Sequence, residues 1–369
     1  DLTTAQAAAL TSTQAAGITT TQTAALETAD LSVLVTSAFA ALNTAVVSGL
    51  SSTQVGSLSN AQVTALTTAQ AAALTATQTA GITTSQTAAL ESGDLNKLST
   101  SAFEALATDV VSGLSGTQVG ALTSSQVSAL TTAQAAALTS TQAAGITTSQ
   151  TAALESGDLN KLTTAAFGAL ATDVVAGLSA GQVGALTSSQ VTALTTAQAA
   201  ALTATQAGGI TTSQTAALES GDLNKLTTAA FAALNTGVVA GMSSTQVGAL
   251  TTDQVAALTT AQAAALTTTQ TVGLSSAQVG ALGTTDLQKV TTAAFAAIRT
   301  DAVVGLSSAQ VSALTTAQVV ALTTAQAAAL KTAQVAALTT GQVAALETGD
   351  LAVMTTAQVA ALTTAQAKA

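Results

Sequence analysis

A large apolar residue returns at every eighth position of this chain. Counted from Leu2, that position is always Leu, Ile, Val or Met, and residues 2–369 divide into 46 octads without an insertion or deletion. We letter the octad a to h, with the apolar residue at a. Positions b and c are mostly Thr or Ser, e is mostly Gln, and f is mostly Val or Ala. Self-similarity at a fixed period marks a repeat architecture, in which each unit completes the core of its neighbours. Longer periods lie on top. LTTAQAAAL begins at Leu2, Leu66, Leu130, Leu194, Leu258 and Leu322, 64 residues apart. Phe39, Phe103, Phe167, Phe231 and Phe295 at f keep that spacing, as do Asp30, Asp94, Asp158, Asp222, Asp286 and Asp350 at e. Gly at h recurs every 32 residues, from Gly17 to Gly305.

Strict alternation along LTTAQVAA would put Leu, Thr, Gln and Ala on one face and Thr, Ala, Val and Ala on the other. Neither face is apolar, and Leu and Val part company. A helix accounts for more positions. Thr(b) and Gln(e) form the capping box S/T-x-x-Q, and Leu(a) and Val(f) then occupy the hydrophobic-staple positions. The run Leu314–Val319 contains the whole set. The pattern predicts an all-α chain: a solenoid of very short capped helices, one per octad. A β-solenoid is the alternative, because paired Thr and Val also suit strands. Helices this short are unstable alone, so a and f must be buried against other octads. Gly at h fits a sharp turn at a helix C-terminus, and its 32-residue spacing suggests four octads per superhelical turn. The Phe residues read as core fillers, with an aromatic binding spot as the rival.

Composition removes most chemistry. The chain has no Cys, His, Trp, Tyr or Pro, and only 7% of its residues are charged, against about 25% in typical soluble domains. Without thiols or imidazoles there are no disulfides, no usual zinc sites and no Ser-His-Asp or Cys-His arrangement. Seven Lys+Arg and a net charge of -10 give no electrostatic footprint for nucleic acid. Thr, Ser and Gln interrupt every apolar run, so no membrane span is expected.

The acidic octad LESGDLNK places Glu91 and Asp94 in a first helical turn and Lys97 at the end, complementing the helix dipole. Glu155, Asp158 and Lys161 repeat it, as do Glu219, Asp222 and Lys225. Calcium binding by these oxygens is the competing reading, with solubility and dipole complementation preferred. Asp109, Asp173 and Asp301 at d give way to Ala45 and Gly237 in sister octads, which argues against obligatory ligands. Paired carboxylates for acid–base work need contrasting environments, and a uniform array offers none. No catalytic, cofactor-binding or metal-binding residue is therefore assigned, and an enzyme is not expected. The Thr and Ser rows leave an ice-binding face or O-linked sugars as further possibilities.

Residues 1–369 read as one continuous array, with no linker and no signal peptide. Asp1 already lies in mid-pattern, and no polar cap marks either end. A stretch of a longer chain, or a unit that stacks end to end, is the expectation. Tracts of the form LTTAQVAALTTAQ, such as Met354–Gln366, resemble octapeptide arrays of very large secreted bacterial surface proteins of adhesin-like type. That resemblance implies an extracellular or cell-surface structural protein. It would be a filament, sheath, surface-layer element or adhesin stalk whose partner is itself. A one-octad similarity to the LT-x-x-QV opening of plant-pathogen DNA-reading repeats lacks the rest of that unit and is set aside. The rival class is a binding module: an ice-binding solenoid, a sugar binder or a calcium-dependent adhesin.

Overall fold

The computed structural model describes residues 2–369. Contacts gather the chain into two compact units, Asp1–Leu178 and Ser179–Ala369, built alike and described separately.

The expected all-α solenoid of short helices is what the chain forms. Among the described residues there are 46 helices of four to six residues, one per octad, and no strand. Each begins at c with its N-cap at b. Where e is glutamine the cap is the reciprocal bond pair the sequence predicts, whereas the helices that start at Thr36 and Thr108 have no side-chain cap. Ser59 N–H donates to Gln62 Oε1 at 2.9 Å, and Gln62 N–H donates to Ser59 Oγ at 3.3 Å. Both satisfy donors that a helix N-terminus otherwise leaves orphaned. At Lys331, whose ammonium cannot accept, only the glutamine half remains. Helices stop because the next a and b residues are extended: Leu74 has φ -64°, ψ 133°, and Thr75 has φ -90°, ψ 163°. The a residue still donates back to the helix end, as Leu66 N–H does to Val63 O at 3.2 Å.

The chain returns to itself sooner than the glycine spacing suggests. Helix Ser12–Ala16 packs on Thr36–Ala40, and Thr260–Ala264 packs on Thr284–Lys289, three octads on in both units. Side-chain bonds between successive turns join residues 23 to 31 apart. The middle of that range is close to three and a half octads, so the four-octad turn is corrected.

The role expected of glycine is corrected too. No described residue has positive φ, so Gly at h supplies no left-handed cap. At Gly81 and Gly145 it lets two backbones meet, whereas at Gly113 and Gly177 a Cβ would instead crowd a threonine side chain of another octad. A Cβ on Gly81 would lie 2.1 Å from Ser52 O, and one on Gly145 would lie 2.1 Å from Gly116 O. The helix Ser92–Leu95 also ends before Lys97, so that lysine lies beyond the last turn it was expected to complement.

The core is made from positions a, e and f. All five Phe side chains are fully buried, as expected of core fillers. Each sits next to an Ala at e (Ala38, Ala102, Ala166, Ala230, Ala294) that is also buried. The bulky f side chain thus coincides with a small e side chain. Three of the helices, Thr84–Ala89, Thr148–Ala153 and Thr212–Ala217, are wound as 3-10 helices, and all three have the sequence TSQTAA.

Replacing Gly81 with Ala should cost about 1–3 kcal/mol, the usual penalty of overpacking, because the methyl group meets backbone rather than a movable side chain. Gly93→Ala, with nothing within 4 Å of its Cβ, is the control and should be neutral or stabilising. Urea denaturation of the two variants compares them. Equal destabilisation would refute the close-approach account.

Candidate functional site

The polar group that recurs in the interior is the glutamine amide at e. Its Oε1 is spent on the helix's own N-cap. Its Nε2 points to the turn before. Gln62 Nε2 donates to Leu31 O at 2.7 Å and Leu34 O at 2.9 Å. Gln126 does the same to Leu95 O at 2.8 Å and Leu98 O at 3.0 Å. In the second unit Gln254 reaches Leu223 O at 2.7 Å and Leu226 O at 2.8 Å. These acceptors are carbonyls at or just past a helix C-terminus, which a helix cannot satisfy internally. One amide therefore caps the start of its own helix and the end of another. Every e glutamine from Gln54 to Gln150, and from Gln214 to Gln366, makes such a bond. The side chains are buried, Gln62 and Gln126 being 1% exposed.

The sequence reading found only the capping half of this role. One signal for the other half was present. Gln stands at e in 30 octads and Glu in none, although a capping box accepts either. Only the amide can donate, so the exclusion of Glu marks a required donor.

Six octads replace this amide with Asp. Asp30, Asp94, Asp158, Asp222 and Asp350 are buried, at 1–7% exposure, and so are not the solvated charges expected. Asp222 lines a small cavity together with Val191 and Leu194, residues 31 and 28 positions back. Those are the register positions whose carbonyls receive an amide elsewhere. Aspartate is one methylene shorter than glutamine and, when ionised, only accepts. Burial raises the pKa of Asp94, Asp158, Asp222 and Asp350 above the ordinary aspartate value, and the neighbouring Glu91, Glu155, Glu219 and Glu347 raise it further. Asp286 differs: its Oδ1 accepts from Thr260 Oγ1 at 2.8 Å. Asp109, Asp173 and Asp301 are exposed.

The remaining polar surface offers grooves rather than a reaction centre. Glu91, Ser92, Ser115, Thr117 and Gln118 line one of about 610 Å³, and Glu219, Ser220, Ser243, Thr245 and Gln246 line its counterpart of about 630 Å³. Within the first, Gln118 is already committed to Ser115 N–H and to the carbonyls of Thr87 and Leu90. Among the described residues no group of three or more His, Cys, Asp or Glu gathers as a metal site. No helix of the described chain is long and apolar enough to cross a membrane.

Helices of one size, repeated in register and joined turn to turn through buried amides, define a helical-solenoid repeat protein. The ALTTAQ repeat model matches residues 23–60, 87–124, 151–188, 215–260, 279–316, 312–340 and 343–369, and the chain belongs to the ALTTAQ repeat family. Neither the curated proteins nor the solved structures searched contain a match.

Two measurements test this geometry. Gln126→Glu keeps the cap acceptor but loses both bonds to Leu95 and Leu98. It should cost about 1–3 kcal/mol or more, the penalty of stranding buried polar groups. Thr123→Ala, which removes only the cap, should cost about 0.5–2 kcal/mol. Denaturant titration ranks them, and a neutral Gln126→Glu would refute the double role. The second measurement is stability against pH. A raised folded-state pKa means that the folded chain binds protons first. These four aspartates therefore oppose folding most at neutral pH. The opposition lifts as pH falls through their raised pKa values toward the ordinary aspartate range. Melting temperature should rise on mild acidification, and Asp→Asn at positions 94, 158, 222 and 350 together should flatten that rise. A fall in melting temperature over the same window would count against it.

Proposed function

We propose that this chain is a structural element that acts by associating with itself, and that it is not an enzyme. The observation that supports this most directly is the commitment of the buried polar groups. The glutamine amides at the heart of the array bond to its own backbone, leaving none to converge on a substrate. The resemblance of the octads to arrays in large secreted bacterial surface proteins supports a place outside the cell, in a filament, sheath, surface layer or adhesin stalk. Low charge with 48% hydrophobic residues favours association, while the net charge of -10 opposes collapse into a precipitate.

Negative-stain imaging and light scattering of the purified chain, over a series of concentrations and with and without calcium, test the proposal. Ordered assemblies that grow with concentration and ignore calcium are expected. Thermal hysteresis in a non-associating chain would favour an ice-binding module instead. Assembly that needs calcium would favour the calcium-dependent adhesin.

A further inference from the structure

We propose that one buried water molecule stands in for the missing amide at each of Asp94, Asp158 and Asp222, bridging the carboxylate to a carbonyl of the turn before. Asp222 lines a cavity whose other side chains are all Ala, Val or Leu. It is 7% exposed, and Asp94 and Asp158 are 5% and 7% exposed. None of the three carboxylates receives a hydrogen bond from the described residues. The backbone opposite is short of a partner too. Val191 and Leu194 stand 31 and 28 positions before Asp222. Val191 O already accepts Leu194 N–H at 3.2 Å. Leu194 O has no donor among the described residues, whereas one octad earlier Leu186 O accepts Gln214 Nε2 at 2.8 Å. Leu66 and Leu130 hold the same place before Asp94 and Asp158.

The turns stand slightly open where aspartate replaces glutamine. Leu66, Leu130 and Leu194 are 8%, 8% and 9% exposed. Leu58, Leu122 and Leu186, each one octad earlier and each met by a glutamine amide, are 6%, 5% and 5% exposed. An ionised carboxylate and a carbonyl both accept, and neither donates. Whatever joins them must therefore supply two donors. A water does so, with one O–H to Asp222 and the other to Leu194 O. The cavity leaves about 10 Å³ for the centre of a water molecule, close to the roughly 10–15 Å³ that one water needs alongside two to four polar partners. A calcium ion takes six to eight oxygens, more than one carboxylate and the two carbonyls at this register supply. A water bridge also keeps both groups hydrogen-bonded across a longer gap than a direct amide bond spans.

Two variants of the whole chain test the bridge. One carries Asp94→Gln, Asp158→Gln and Asp222→Gln, and the other carries Asp94→Asn, Asp158→Asn and Asp222→Asn. Gln is the usual residue at e, so the first variant suits the fold, and circular dichroism checks that both keep their helix content. Oxygen-17 magnetic relaxation of the solvent counts long-lived buried waters, and urea denaturation at neutral pH compares stability. The Gln variant, whose amides reach the carbonyls directly, should lose three such waters relative to the parent and unfold at a higher urea concentration. The Asn side chain is as short as Asp and leaves the gap, so that variant should keep all three. Loss of the waters from both variants, or from neither, overturns the bridge. A parent whose urea midpoint shifts between sodium, potassium and choline chloride at equal ionic strength, with the shift gone in the Gln variant, would put a monovalent cation in the water's place and overturn it as well.

Discussion

The two-sided hydrogen bonding of a buried carboxamide is the constraint on which the rest of this structure depends. A helix of five residues has almost no internal backbone bonds, and its ends leave most of its polar groups orphaned. Burying dozens of such ends would be prohibitive without partners, since each unsatisfied buried group costs about 1–3 kcal/mol. The glutamine at e solves both ends at once. Its oxygen takes an N–H at the start of its own helix, and its nitrogen serves carbonyls at the end of a helix in the preceding turn, as at Gln62 and Gln126. The apolar residues at a and f can then be buried without stranding the backbone that carries them.

Close approach is the second requirement, and composition follows from it. Cross-turn bonds of 2.7–3.0 Å from a side chain as short as glutamine demand that successive turns nearly touch. Ala, Gly, Ser and Thr dominate because larger side chains would hold the turns apart. At Gly81 and Gly145 the limit is reached and even a methyl group would collide with a carbonyl oxygen. Phe is admitted at f where e shrinks to Ala. The scarcity of charge has the same origin: an ionised side chain in so thin a core has no water to retreat to.

What was legible in the sequence was local. The capping box spans four residues and the staple five, so helix starts, helix class and the one-helix-per-octad rule could be read from Thr, Gln, Leu and Val alone. What was not legible lies one turn away. The amide of Gln62 finds its acceptors 28 and 31 residues back, and no local pattern names that distance. The 32-residue glycine period misleads because Gly81 faces Ser52 and Gly56 faces Gly81, separations set by the turn and not by the period. Asp94 was read as a solvated first-turn carboxylate because that suits an isolated helix. Its burial follows from the turn that covers position e.

The 64-residue cycle acquires a physical meaning once the amides are followed along it. From Gln54 to Ala302 each cycle carries Gln at e in five consecutive octads, then Asp, Ala and Val or Ala in the next three, whereas after Gln342 only Asp350 interrupts the glutamines. Three octads are most of one turn, so a nearly unbridged stretch returns once per cycle. There the turns are held by Phe103, Val110 and Val111, all within 1% of full burial, while Asp94 contributes a carboxyl in place of an amide. Polar contact is partly restored from the opposite side: Thr79 Oγ1 donates to Ala102 O at 2.6 Å, and Thr271 Oγ1 to Ala294 O at 2.7 Å. Amide-bridged turns resist sliding, because a one-residue slip breaks every bond in the row. Apolar turns are strong but tolerant of register, since hydrophobic burial is non-directional. Alternating the two gives an array whose register is fixed by the glutamine blocks, with the intervening stretches adding cohesion and leaving the register unchanged. Asp94, Asp158, Asp222 and Asp350, each following a block of glutamines, are then points where protonation can alter the grip of one turn on the next.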